Sequence, residues 1–304
     1  MTESLKSILD RELSLANSRE MRKIVSPLII EVVNYSTNAF GRYASLTKHH
    51  RHEDLSILIL FIHTIEMMDS IEVLISRSIS EPAQLILRSL FEATLGIDYL
   101  LQDEKEYLNR SYAWLINYVH NKIKSYKSIS DHSKNDSSLP RALNEHENEL
   151  VQEITKELPD PSDAIENLET FFNKPYIKNY AAEFKEENPR HWYSFRSGPQ
   201  NLKLLSRKVG REAEYMILYK YWSTISHTSD LQRFPGKTKN GESGIKMIRN
   251  PEKLQDVASY SITFMLRTLR KLMMKFSPGE ENAFKVWYTQ NVQEGYLEIT
   301  PKSY

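Results

Sequence analysis

No cysteine occurs among the 304 residues, which excludes disulfides, thiolate zinc sites, the usual iron-sulfur ligation and cysteine nucleophiles. Glycine (9) and proline (12) are scarce, arguing against collagen-like repeats, disorder and turn-rich all-β folds. An excess of either charge is missing too. The 40 Lys and Arg residues balance 40 Asp and Glu, so there is no global attraction to a polyanion. Long hydrophobic runs are also lacking: the most apolar stretch, residues 55–62, is interrupted by His63, whereas a membrane span needs about 20 apolar residues. The opening MTESLKSILDRELS mixes both charge signs without an apolar segment, unlike a secretory signal. These absences lead to the expectation of a cytoplasmic protein with no membrane partner.

What is present is a helical period. Apolar residues recur every three or four positions and alternating β-branched runs are nearly missing, which predicts an all-α fold. The pattern gives a multi-helix bundle with long helices in the N-terminal half and shorter ones in the middle. Helices are expected over 3–47, broken or kinked near Pro27, then over 53–77, 82–101 (capped at Ser80) and 103–129. Prolines at 159, 161, 175 and 189 punctuate the middle into short helices, while 206–227 and 250–276 restore longer ones, separated by a loop over 228–249. The expected organisation is an N-terminal helical bundle (1–129), an acidic linker with short helices (130–189), and basic C-terminal helices (190–304) packing on the bundle as one composite domain.

The neutral total hides a polarised second half. Residues 142–187 hold twelve acidic residues against four lysines, and residues 188–275 hold seventeen Lys and Arg against six acids. The two blocks are either an acidic arm beside a basic platform or solvated faces that neutralise each other.

Several motifs fail on inspection. Gly236-Lys237-Thr238 imitates the end of a phosphate loop, but Leu231 stands where that loop needs glycine. Gly241-Glu242-Ser243-Gly244 lacks the spacing of a nucleophile elbow. None of the nine histidines follows a glutamate at three residues, so the Glu-x-x-His pairs of di-iron bundles are missing. His63 and Glu66 share a helix face and read as a buried structural pair. No cofactor or metal set is expected.

Three constellations remain. In LILRSLFEATLGIDYLL, Arg88 and Glu92 lie one turn apart in an otherwise apolar helix, either as a self-contained ion pair or as a cation fixed for a bound anion. In YMILYKYWSTISHTSD, Lys220, Ser223 and His227 project from one helix face, with His227 at the expected C-terminus, where the macrodipole favours imidazolium. Tyr215, Tyr219, Trp222 and Ser226 form the adjacent face and are assigned to packing. Finally, Arg190, Arg196, Lys203, Arg207, Lys208 and Arg211 follow one another with no acid between them, interleaved with His191, Trp192, Tyr193 and Phe195. Cations bind phosphate and aromatics stack unpaired bases, so this mixture suits single-stranded RNA.

At these residues the chain resembles a widespread bacterial all-helical family of unknown function. The likeness is carried by Arg88-Ser89-Leu90-Phe91-Glu92, by His191-Trp192-Tyr193 and by the run from Tyr221 through Ser226-His227, over roughly residues 53–230. A looser analogy leads to HEPN helical domains, many of them metal-independent ribonucleases of toxin and phage-defence systems that carry arginine and histidine with four to six residues between them. Arg42 with His49 and Arg141 with His146 have such spacing, but two pairs are what chance supplies in this composition. Lys220 with His227 is a degenerate version, because lysine lacks the planar fork of arginine.

Two functions stand at this point. In one, the chain is a helical effector that binds and cleaves RNA, with His227 as acid-base group, Arg88 or Lys220 as phosphate cation, and Glu92 orienting Arg88. In the other, it is a non-catalytic interaction or sensor module with a structural Arg/Glu/His network, paired with a protein partner or a second copy.

Overall fold

A computed structural model, describing residues 8–47, 52–133, 162–219, 221–222, 225, 235–237, 243–245, 248–249 and 251–300, realises the helical period almost throughout. The helices are α1 (Arg11–Asn17), α2 (Arg19–Thr47), α3 (Asp54–Ser76), α4 (Ser80–Leu101), α5 (Tyr107–Ser133), α6 (Ser162–Phe172), α7 (Lys178–Glu187), α8 (Leu202–Lys208), α9 (Leu254–Phe276), α10 (Glu281–Asn291) and α11 (Gln293–Ile299). A short helical turn, Glu212–Glu214, widens into a π-turn over Tyr215–Tyr219. Within the expected loop 228–249, β1 (Pro235–Lys237) and β2 (Ser243–Ile245) form an antiparallel pair that sets Gly236 opposite Gly244. Among the described residues the fold is all-α apart from this pair. Among the described residues no helix is long and apolar enough to cross a membrane.

Two local signals act differently from their sequence reading. The first helical region breaks at Ser18, and Pro27 continues inside α2. At the break, the Ser18 hydroxyl donates to the Ser14 carbonyl (2.9 Å) and the Arg22 guanidinium reaches the Leu15 carbonyl (3.0 Å), so freed backbone acceptors regain donors. The first of the two long helices expected in the C-terminal half, 206–227, is interrupted, because the helix that begins at Leu202 stops at Lys208. There Gly210 takes a left-handed φ of 77°, the Arg211 amide donates to the Ser206 carbonyl (2.7 Å), and the Gly210 amide donates to the Arg207 carbonyl (3.1 Å). This pair of bonds is the Schellman ending, which favours glycine at its left-handed position.

The chain forms two compact units, Met1–Glu104 with Leu202–Tyr304, and Lys105–Asn201. In the first, α2, α3, α4 and α9 pack around Phe61, Met68, Ile71, Leu90, Phe91 and Phe264, all essentially without solvent contact. Each such side chain stabilises the fold by about 1.5–3 kcal/mol through burial. Hydroxyls caught in this core turn back on their own helices. Thr64 donates to the Phe61 carbonyl (2.7 Å) and Ser261 to that of Ala258 (2.9 Å), so neither leaves a buried donor unmatched.

The second unit is built from α5, α6, α7 and a 3₁₀ turn at Trp192–Ser194. Its core joins Tyr112, Leu115 and Ile116 of α5 to Ile177, Phe184 and Phe195. Helix α7 ends at Asn188, which is left-handed (φ 47°) and followed by Pro189, a residue that cannot continue a helix.

Candidate functional site

Helix α4 supplies the chemistry of the first unit. Its inner residues Leu87, Leu90, Phe91 and Leu95 are buried, and the turn-by-turn repeat brings Arg88 and Glu92 onto one neighbouring stripe. The expected ion pair exists, with Arg88 Nε 3.2 Å from Glu92 Oε1. The sequence reading did not foresee a third member. Arg88 Nη2 donates to the Tyr219 hydroxyl at 2.6 Å, and that hydroxyl donates to Glu92 Oε1 at 2.8 Å. The guanidinium carbon also lies 4.5 Å from the centre of the Tyr219 ring, within cation–π range. Tyr219 closes the π-turn, and Tyr215 stacks on it at 4.9 Å. Such wide turns recur at functional sites.

Solvent reaches this triad, leaving the Arg88 side chain 24% and the Glu92 side chain 42% exposed. Burial, reinforced by the hydrogen bond to the Glu92 carboxylate, pushes the Tyr219 phenol well above its ordinary range, with the Arg88 charge opposing. The phenol therefore stays protonated at neutral pH, as a donor to Glu92 and an acceptor from Arg88.

A second polar set lies two turns further along α4, and its centre is sealed. Asp98 and Arg211 are 1% and 4% exposed. Arg211 Nη1 donates to Asp98 Oδ2 (3.0 Å) and Thr94 Oγ1 (2.8 Å), and its Nε donates to Glu214 (2.5 Å). From α9, Lys271 donates to the other Asp98 oxygen (2.5 Å) and Arg267 to the other Glu214 oxygen (2.8 Å). The Arg211 guanidinium sits between Phe91 and Phe264, 4.7 and 4.8 Å from their ring centres. Its Nη2 has no hydrogen-bond partner among the described residues, and the two aromatic faces lie against the charge there. Phe91 links the two sets, because it also contacts Tyr219 and Trp222.

The basic stretch from 190 onward is divided between the two units. Arg190, Trp192, Tyr193 and Arg196 belong to the unit Lys105–Asn201, and Lys203, Arg207, Lys208 and Arg211 to the other. Arg190 is exposed, Trp192 and Tyr193 are half-buried, and His191 stacks on Tyr193 at 4.9 Å. Burial and the adjacent Arg190 charge hold the His191 imidazole below its ordinary pKa. Arg196 forks onto Glu183 at 2.7 and 2.5 Å. Its amide, in a left-handed residue (φ 52°), donates to both oxygens of Glu187 (2.9 and 3.0 Å). Arg207 forks onto Glu212 at 2.8 and 2.6 Å. Lys203 is half-buried and Lys208 exposed. Arg211 faces inward instead of lining a strand, because the Gly210 turn directs it into the core.

Lys220 and His227 lie outside the described residues. His63 and Glu66, expected as a buried pair, are 3.7 Å apart on the open side of α3 with 44% and 68% exposure. Among the described residues no group of three or more His, Asp or Glu side chains is arranged to hold a metal ion.

Comparison with curated proteins and with solved structures finds no match. A family model does match, over residues 54–242. That span takes in Arg88, Glu92, Asp98, Arg211, Glu214 and Tyr219, and stops short of Arg267 and Lys271. The chain therefore belongs to a family of unknown function (DUF5677).

Proposed function

We propose that this protein is a helical effector that binds RNA and cleaves it without a metal ion, as the HEPN analogy implies. The observation that carries this reading is the hydrogen bond from Arg88 to Tyr219. It ties α4 to the stretch in which Lys220 and His227 follow at one and eight residues. Such a reaction asks little of a protein, since the RNA 2′-hydroxyl is itself the nucleophile. His227 takes the 2′-hydroxyl proton, the 2′-oxygen bonds to phosphorus, and the bond to the 5′-oxygen breaks. The imidazolium then returns the proton through water to that oxygen, leaving a cyclic phosphate and a 5′-hydroxyl end. Arg88, oriented by Glu92 and Tyr219, stabilises charge developing on the phosphate, with Lys220 as a second cation. Arg190, Lys203 and Lys208 are phosphate contacts in this reading, with Trp192 and Tyr193 as stacking faces.

A second reading is a non-catalytic interaction or sensor module that pairs with a protein partner or a second copy. It is favoured by the way Arg88, Arg196, Arg207 and Arg211 are each answered by a carboxylate of their own chain. Incubating the purified chain with single-stranded RNA in chelator separates the two. Products are expected that vanish in His227→Ala and form about 10²–10³-fold more slowly in Arg88→Ala. Cleavage unchanged in His227→Ala overturns the catalytic assignment. A lowered melting temperature in that variant, with no effect on RNA, supports the module.

A further inference from the structure

Helix α7 sorts its charges. The block 142–187 is strongly acidic by count, yet Glu183 and Glu187 are engaged with Arg196, while Lys178 and Lys185, seven residues apart, line a cleft shared with α5 and the end of α6. Lys124 and Lys127 of α5 and Arg190 line the same cleft. The single carboxylate among the described lining residues, Glu169, is bonded to Lys127 at 2.7 Å. Among the described residues Lys124, Lys178, Lys185 and Arg190 have no carboxylate partner. An acidic stretch of sequence therefore contributes to a cationic cleft.

The cleft measures about 1090 Å³, beyond the range of about 300–1,000 Å³ usual for small-molecule pockets. Its floor is apolar, built from Ile116, Ile123, Phe172 and Phe184. Four carboxamides also line it, with Asn117 and Asn121 one turn apart on α5, Asn173 just after α6 and Asn188 at the end of α7. Lysines alone suit any anion. Carboxamides offer a donor and an acceptor side by side, the pattern that matches a base edge. An apolar floor accepts the faces of unstacked bases while the cations follow their phosphates.

We infer that this cleft between α5, α6 and α7 binds single-stranded nucleic acid, with Lys124, Lys178, Lys185 and Arg190 as phosphate contacts and the asparagines reading base edges. It shares a ligand class and the phosphate contact Arg190 with the reading proposed above but none of the groups of the cleavage step, and it stands whether or not the strand is cut.

The test uses the full chain carrying His227→Ala, so that cleavage cannot confuse binding, and a fluorescent oligouridine titrated at several salt concentrations. Adding Lys124→Glu, Lys178→Glu and Lys185→Glu together is expected to weaken binding more than about tenfold. The salt dependence, log K against log salt, should flatten by about 2, at about 0.7 per phosphate contact on a single strand. Lys285→Glu, on exposed α10 of the other unit, should change neither. Circular dichroism melting of the triple variant checks that the fold persists. Asn117→Ala with Asn121→Ala keeps every charge and should lower affinity without altering the salt slope. Oligouridine affinity unchanged in the triple variant, or no binding at low salt before those changes, overturns the inference. Tighter binding of a polyglutamate peptide than of oligouridine overturns it too, and assigns the cleft to an acidic protein partner.

Discussion

Helix α4 carries two clusters made of the same kinds of side chain, and they differ in what surrounds them. At Arg88, one arginine, one carboxylate and one phenol close a triangle that solvent still reaches. At Arg211, three cations and two carboxylates interlock, with Arg211 between two aromatic faces and Asp98 and Arg211 out of solvent. Desolvation makes the difference. A partly solvated ion pair contributes little to stability and remains available to a ligand, whereas a buried one is costly to break because the remaining charge has nowhere to go. In the function proposed above Arg88 is the arginine that meets an anion, whereas Arg211 joins α4 and α9 to the turn at Glu214.

The largest expected effect tests that division. Asp98→Ala removes the acceptor of both Arg211 and Lys271 and leaves a guanidinium buried beside Phe91 and Phe264. A loss of about 3–5 kcal/mol is expected, seen as a shift of the urea midpoint. A loss below about 1 kcal/mol would mean that water enters the cluster, and the contrast with Arg88 would collapse.

A middle-sized effect comes from the open cluster. Tyr219→Phe keeps the ring but deletes the hydroxyl between Arg88 and Glu92, costing about 1 kcal/mol at neutral pH. The pH dependence has a definite sign. Because the folded phenol holds its proton above the ordinary tyrosine value of about 10, the unfolded chain ionises first and binds fewer protons. Stability credited to the hydroxyl is complete below pH ~10 and falls as pH rises toward the folded value. Urea midpoints of the two proteins should therefore converge between about pH 9 and pH 11.5. A constant gap would show that the phenol does not keep its proton in the folded triad.

Helical period made the fold class legible, since α3, α4 and α9 each carry the apolar repeat from end to end. The Arg88–Glu92 pair was equally plain, because an i,i+4 spacing fixes proximity without any tertiary knowledge. Tyr219 was harder to assign. An aromatic stripe reads as core, and its hydroxyl gains meaning only from a helix 131 residues away. The Asp98–Arg211–Lys271 cluster was invisible for the same reason, as its members lie 113 and 173 residues apart. One signal was present but outweighed. Gly210 stands just past the run LKLLSRKV, where a helix stop belongs, and reading through it placed Arg211 on a surface. Pro27 misled in the opposite direction, because a breaker by propensity is carried within α2, whose Val25, Leu28, Ile29 and Val32 are buried around it.

The smallest effect sharpens the comparison most closely in sequence. Arg207 and Arg211 are four residues apart, and each meets a glutamate through a strong charge-assisted pair. On an uninterrupted helix they would share one face and similar surroundings. The turn at Gly210 separates them, so Arg207 faces solvent with Glu212 while Arg211 is enclosed. Arg207→Ala should leave the melting temperature within experimental error, at low salt and high salt alike, since exposed pairs exchange protein contacts for water at almost no net change. Arg211→Ala, measured beside it, should destabilise strongly by uncovering Asp98 and Glu214. Equal shifts in the two variants would mean that the pairs, not their surroundings, set the energy, and the proposal that Arg88 meets an anion would lose its physical basis.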